Sequence, residues 1–220
     1  MRLSVLVPVY NEEDNVEELI RRVAAVPIEK EIIVVDDCSS DDTPRILSRL
    51  EFKDLRVIRH PVNQGKGAAI RTAMASMTGD AVIIQDADLE YDPMDTLRLI
   101  EPLNRGEAKV VYGVRSIEGQ KLLLRWGNRL LTFLTNLLLG THLHDMETCY
   151  KLMAADVVDG MTIESNRFDI EPEITAKIVN RGYTIHEMPI SYEPREEKKL
   201  SPWRDGWPAL RALWKYRNKR

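Results

Sequence analysis

Short apolar runs alternate along this chain with longer stretches in which apolar and polar residues mix. Residues 2–7, 31–35 and the run that starts at Ala81 are almost unbroken Val, Ile and Leu, the pattern of strands buried on both faces, and 55–59 reads as another strand. Between them, Asn11-Glu12-Glu13 leads into an amphipathic helix of about a dozen residues that ends before Pro27. Ser40 or Asp41 is placed to cap a helix running to Leu50, Asn63-Gln64-Gly65-Lys66-Gly67 introduces one over 68–77, and Pro93 opens another toward Leu103. A fifth strand over 109–114 ends at Arg115. Strand and helix in alternation predict βαβ units wound right-handed, hence an α/β fold with a mostly parallel sheet flanked by helices.

After Gly119 the pattern changes. Residues 122–139 are helical in spacing, rich in Leu, and carry Arg125 and Arg129. A polar loop over 142–151 leads into a short strand, and helices over 154–160 and 168–181 and a strand over 184–189 follow. At the end Trp203, Trp207, Leu210, Leu213 and Trp214 recur at helical spacing among Arg204, Arg211, Lys215 and Arg217. That amphipathic tail either docks on the core or lies at a lipid interface beside anionic headgroups. The organisation expected is one domain over 1–195, with halves 1–118 and 119–195, and a tail over 196–220. The most apolar run, 130–139, is broken by Thr132, Thr135 and Asn136 and falls short of the ~20 residues a bilayer span takes.

A formal charge of -4, from 31 basic and 35 acidic residues, lacks the basic excess of a nucleic-acid binder. Two cysteines, Cys38 and Cys149, make neither a disulfide framework nor a cysteine-rich zinc site, which suits a reducing, cytosolic setting. Met1 is followed directly by strand-like residues rather than an apolar signal region, so export is not expected.

The chemistry begins where the run from Ala81 stops, at Gln85-Asp86-Ala87-Asp88-Leu89-Glu90-Tyr91-Asp92-Pro93. If the chain stays extended through Asp86 and Asp88, a period of two puts both side chains on one side of the carboxyl edge of the sheet, where α/β folds bind ligands. Oxygen-only ligands there suit Mg²⁺ or Mn²⁺, although the tripeptide alone fits a plain acidic loop equally well. Gly65-Lys66-Gly67 lacks the Walker pattern, which disfavours an ATPase. Lys66, at a helix N-terminus, can approach a phosphate or remain solvated.

Four motifs occur in order: Pro8-Val9-Tyr10-Asn11-Glu12, Val34-Val35-Asp36-Asp37-x-Ser39, Asn63-x-Gly65-Lys66-Gly67 and Asp86-Ala87-Asp88-Leu89. Together they resemble the inverting family-2 glycosyltransferases, in particular the branch of dolichyl- and polyprenyl-phosphate mannose and glucose synthases. The resemblance spans residues 1–195 and implies the GT-A nucleotide-sugar-binding fold, with 1–118 as the nucleotide-sugar half and 119–195 as the acceptor half. It assigns Pro8, Tyr10 and Glu12 to the nucleoside pocket, Asp37 to the base, and Asp86-Ala87-Asp88 to the diphosphate and a Mg²⁺ or Mn²⁺ ion. Glu90 stands where the branch often has Gln as a third metal-side ligand, and its charge is expected to tighten metal binding.

On the acceptor side Asp145 precedes Thr148-Cys149-Tyr150-Lys151, the family's element near the sugar. Asp145 would be the base if the acceptor is a hydroxyl, and would only orient acceptor or sugar if it is an already anionic lipid phosphate. His142 and His144 beside it read as loop histidines. Cations for an anionic acceptor come from Arg115, Arg125, Arg129, Arg195 and Lys199. The family's Gly-Lys-Lys before Trp-Arg-Asp is altered here to Glu196-Glu197-Lys198-Lys199, with Pro202 inserted. Arg167-Phe168-x-x-Glu171-Pro172-Glu173 looks like the helix beneath the acceptor. The implied activity is inverting, metal-dependent transfer of a hexose from GDP-mannose or UDP-glucose to a polyprenyl phosphate at the cytosolic membrane face. The alternatives are a soluble glycosyltransferase acting on a hydroxyl and a non-catalytic nucleotide-sugar-binding module.

Overall fold

The computed structural model describes residues 1–116, 119, 122–195 and 202–217, the side chains of 202–206 excepted. In chain order come β1 (Leu3–Val9), α1 (Val16–Ala25), β2 (Lys30–Asp36), α2 (Thr43–Leu47), β3 (Leu55–Arg59), α3 (Lys66–Met74) and β4 (Ala81–Ile84). A 3-10 turn (Pro93–Asp95), α4 (Thr96–Leu99), α5 (Glu101–Asn104), β5 (Val110–Arg115) and α6 (Leu122–Leu139) follow. The remainder is β6 (Lys151–Ala154), α7 (Ala155–Val158), α8 (Ile170–Asn180), β7 (His186–Ile190) and α9 (Pro202–Tyr216).

The strands form one seven-stranded sheet in the order β3-β2-β1-β4-β6-β5-β7. All neighbours pair in parallel except β6, which runs antiparallel to both β4 and β5. This is the mostly parallel, helix-flanked GT-A architecture. Every residue of β4, and every residue of β2 after Lys30, is buried, as continuous apolar runs between two helical layers require. At the amino ends of the strands the buried Glu31 carboxylate accepts from Ser4 Oγ at 2.6 Å, Thr78 N at 2.5 Å and Gly79 N at 3.0 Å. A carboxylate with that many donors can be buried without an unsatisfied charge, and it pins three segments together.

Two expectations change in shape. The helix predicted from Pro93 toward Leu103 is a 3-10 turn and two four-residue helices, because Pro102 brings a second helix start and supplies no N–H. The tail docks on the core with one side and leaves two of its tryptophans on another. Ala209, Ala212, Leu213 and Tyr216 of α9 are buried, and Asn180 Nδ2 donates to the Tyr216 carbonyl at 2.7 Å, while Trp207 and Trp214 face outward, 75% and 62% exposed. Among the described residues no helix is long and apolar enough to cross a membrane.

Candidate active site

Pairing of Val9 with Asp36 and of Leu6 with Ile84 sets the carboxyl ends of β1, β2 and β4 side by side. Three loops therefore leave one edge of the sheet together, 10–15, 37–42 and 85–92. Each contains a non-glycine residue in the left-handed region: Asn11 (φ 52°), Cys38 (φ 62°) and Leu89 (φ 61°). Among the described residues these are the only non-glycine positions of this kind, and strain of this sort gathers where the surrounding structure must present particular groups.

The first two loops brace one another. Asn11 N donates to Ser39 Oγ and Ser40 N to Asn11 Oδ1, both at 2.9 Å, and Glu12 N donates to Thr43 Oγ1 at 2.9 Å. Tyr10 projects outward, Pro8 is half-buried at the end of β1, and the buried Glu12 carboxylate accepts from Asn15 Nδ2 at 3.0 Å and Arg195 at 2.9 Å. Asp37 is committed to the chain itself: Oδ1 meets Gln64 N at 2.9 Å and His60 Nδ1 at 2.7 Å, and Oδ2 accepts from Gly65 N at 2.7 Å. Its carboxylate thus holds the 60–65 loop, a structural task that runs of residues do not advertise.

β4 ends at Ile84, so extended backbone does not carry Asp86 and Asp88 to one side as the period of two supposed. A turn brings them near each other instead, with Glu90 N donating to Asp88 Oδ1 at 3.1 Å. Burial, with Asp86 and Glu90 alongside, pushes the Asp88 carboxyl up to about 7. Ala87 between them is buried. Asp86 is gripped by Lys66 Nζ, 2.8 Å from Oδ1 and 3.0 Å from Oδ2. Glu90 is taken up by other partners, accepting from Tyr192 Oη at 2.6 Å and from Arg195 N at 2.9 Å, and no three His, Cys, Asp or Glu side chains among the described residues converge as a metal-binding group. The acidic pair nonetheless fits a hard divalent cation that completes its shell with water and diphosphate oxygens, because the loop concentrates more negative charge than Lys66 offsets. Asp86 and Asp88 are the residues that would hold it.

The helix N-terminus behind Lys66 is not an open anion site. Gly67 N and Ala68 N of α3 donate to the Asn166 carbonyl at 2.9 and 3.3 Å. A Cβ on Gly67 would lie 2.3 Å from the Ser165 carbonyl oxygen, and one on Gly65 (φ +97°) 2.3 Å from that of Asn166. The two glycines of Gly65-Lys66-Gly67 are thus explained by backbone packed against backbone.

Across the sheet edge, Asp145 is forked by Arg115, Nε to Oδ2 at 2.7 Å and Nη2 to Oδ1 at 2.8 Å, both side chains buried. Asp145 N also donates to Glu187 at 3.2 Å, and His144 Nδ1 meets the same carboxylate at 2.7 Å, while His142 is exposed. Tyr91, Tyr150 and Tyr192 link this pair to the acidic turn: Tyr91 packs on Tyr150 at 4.8 Å and on Tyr192 at 5.4 Å, and the Arg115 guanidinium lies 5.3 Å over the Tyr192 ring. Arg195 bridges the Asp88 carbonyl (2.6 Å) and Glu12 (2.9 Å). Of the expected cations, Arg115 and Arg195 therefore sit on carboxylates, Arg125 and Arg129 lie on α6 half-buried and exposed, and Lys199 lies outside the described residues. Sequence reasoning missed Tyr192 altogether and gave no role to Lys151, fully buried, whose Nζ is 2.6 Å from Glu171. A lysine directly after Cys149-Tyr150 and a glutamate between apolar helix positions were the available signals.

Residues 4–161 match the model of a family described as glycosyl transferase family 2. The chain is 30% identical over 222 residues to the low-salt glycan biosynthesis hexosyltransferase Agl6 of Haloferax volcanii, covering 96% of this chain and 52% of that protein. It is 31% identical to the undecaprenyl-phosphate 4-deoxy-4-formamido-L-arabinose transferase of Pseudomonas fluorescens (92% and 61% covered). It is 30% identical to the dodecaprenyl-phosphate galacturonate synthase of Rhizobium johnstonii (89% and 60% covered). The chain thus spans about half to three-fifths of the length of these relatives. Among solved structures, the glucosyl-3-phosphoglycerate synthase of Mycobacterium tuberculosis with Mn²⁺, UDP and phosphoglyceric acid superposes with a TM-score of 0.81 at 21% identity, over all of this chain and 79% of that one.

Proposed function

This chain belongs to glycosyl transferase family 2, and from that premise we propose that it transfers a hexose, with inversion, from a nucleotide diphosphate sugar to a polyprenyl phosphate at the cytosolic face of a membrane. The observation that carries the acceptor is the outer face of α6. Leu122, Leu123, Trp126, Leu130, Phe133 and Leu137 are 54–70% exposed on it, with Arg129 among them. That stripe lies one loop from the Asp145 and Arg115 pair, since Thr132 Oγ1 accepts from Met146 N at 3.2 Å and Asn136 Nδ2 donates to the Leu143 carbonyl at 2.8 Å. Aromatic and aliphatic side chains beside arginine suit a lipid surface with anionic headgroups. The relatives whose names specify undecaprenyl and dodecaprenyl phosphate support the same acceptor class.

In this reading Pro8, Tyr10 and Glu12 border the nucleoside, while Asp37 keeps the 60–65 loop in place beneath it. Asp86 and Asp88 would hold a Mg²⁺ or Mn²⁺ ion, which when bound would supply charge neutralisation for the leaving group. The acceptor phosphate oxygen is already anionic near neutral pH, so no side chain must take its proton. Asp145, with both oxygens held by Arg115, orients the sugar or acceptor instead of acting as base, and Arg125 and Arg129 draw the lipid phosphate to the site. The test supplies purified protein with radiolabelled UDP-glucose or GDP-mannose, Mn²⁺ and a polyprenyl phosphate in vesicles. Label extracted into organic solvent as a lipid-linked sugar is expected; label confined to water-soluble products would assign the chain to hydroxyl or small-molecule acceptors.

A further inference from the structure

Lys66 is ion-paired with the acidic turn at Asp86, and its surroundings are built. Its Nζ makes two contacts with Asp86, at 2.8 and 3.0 Å, and a third with Glu171 Oε1 at 3.1 Å, while the Phe168 ring lies 5.8 Å away. Glu171, buried, meets Lys151 Nζ at 2.6 Å through its other oxygen. Lys151 is itself anchored by the Met146 carbonyl at 2.9 Å and by the Thr148 carbonyl, and lies 4.8 Å over the Tyr112 ring. Asp86, Lys66, Glu171 and Lys151 therefore form a line of alternating charge, whose inner pair remains balanced whatever the outer pair does. A buried ammonium keeps its charge only while a carboxylate is close, and Glu171 provides one independently of Asp86.

We infer that Lys66 is the resident counter-cation of Asp86, that it competes with a divalent cation for that carboxylate, and that a nucleoside diphosphate relieves the competition by offering the ammonium other anionic oxygens. The inference rests on the reading of Asp86 and Asp88 as the metal-holding pair. Its consequence is coupling: metal binds weakly to the free protein and tightly once the diphosphate is present, each ligand favouring the other to the same extent. Without the lysine charge the metal meets an unopposed carboxylate, and the coupling shrinks.

Free Mn²⁺ is followed by electron paramagnetic resonance during titration of the full chain, with and without UDP or GDP. The proteins compared are the unaltered chain and Lys66→Met, Lys66→Gln, Lys66→Arg and Asp86→Ala. Thermal melts identify the variants that are folded, and the polar, uncharged glutamine carries the test if the methionine is not. Removing one unit charge a few ångströms from the ion is expected to tighten nucleotide-free Mn²⁺ binding at least ~10-fold in Lys66→Met or Lys66→Gln. The enhancement by nucleotide should fall by a similar factor, and Lys66→Arg should behave as the unaltered chain does. Equal or weaker nucleotide-free binding in the neutral variants, with binding still lost in Asp86→Ala, overturns the counter-cation role and leaves the metal site standing. Mn²⁺ binding untouched by Asp86→Ala overturns both.

Discussion

Glu147 sits in the loop between Asp145 and β6 with one carboxylate oxygen sealed from solvent and without a hydrogen-bond partner among the described residues. Burial, followed by the charge of Glu171, pushes its carboxyl up to about 7, against the opposing pull of Lys151 and Arg115; Asp145 adds to the rise. The native state thus holds a proton that the unfolded chain releases near the ordinary glutamate value, so stability falls as pH rises between the two. Glu147→Gln removes this contribution: the loss of urea midpoint between pH 5 and pH 7.5 should be smaller than in the unaltered chain, and an unchanged slope would refute the buried-proton account. Asp88→Ala should lower transfer by at least ~100-fold and abolish the Mn²⁺-dependent part of the UDP or GDP thermal shift; near-normal turnover with saturating Mn²⁺ would remove Asp88 from the site. At this scale the sequence revealed which residues gather but not what they touch. That Asp86 and Asp88 come close together was legible because motifs keep their order along the chain. That Asp37 clamps Gly65, that Arg115 forks Asp145 and that Tyr192 seats Glu90 were not, because each pairing joins segments 28, 30 and 102 residues apart.

Elements were easier to read than their ends. The apolar runs gave β1, β2 and β4 because a strand buried on both faces has no polar positions to confuse its period. The acidic turn was harder, since Asp86 and Asp88 at a spacing of two suit a strand and a turn alike, and the end of β4 at Ile84 with the positive φ of Leu89 distinguishes them. α3 shows how local chemistry can mislead: glycines flanking a lysine suggest a cradle for phosphate, yet they admit the 165–166 backbone. Gly67→Ala would force a methyl group to 2.3 Å from a carbonyl oxygen that cannot swing aside. A destabilisation of about 1–3 kcal/mol is expected, read as a lowered denaturant midpoint at constant slope. A melt identical to that of the unaltered chain would show that the two segments separate at little cost.

Among the described residues, exposed aromatic side chains lie beside basic ones on two helices of the molecule. α6 and α9 lie together, and their outer sides carry Trp126, Phe133, Trp207 and Trp214 with Arg129, Arg211 and Lys215, all exposed. Vesicles containing anionic phospholipid should therefore sediment the protein. Replacing Leu130 and Phe133, 54% and 62% exposed, by Asp should release it without lowering the melting temperature. Sedimentation of the double variant at the original level would refute the lipid-facing assignment. The amphipathic pattern of the tail was legible in the sequence, but its division between a docked side and an open side required the positions of α8 and Glu164, where Lys215 Nζ lies 2.7 Å from Glu164 Oε2. The antiparallel strand β6 has a further consequence. It separates β4 from β5, so β5 has no bond to the first four strands until residues 151–154 arrive. On a ribosome, which delivers the amino terminus first, the nascent sheet must wait with an unpaired flank while some seventy residues follow β4, a window in which a chaperone has something to shield and a truncated messenger would leave an aggregating product.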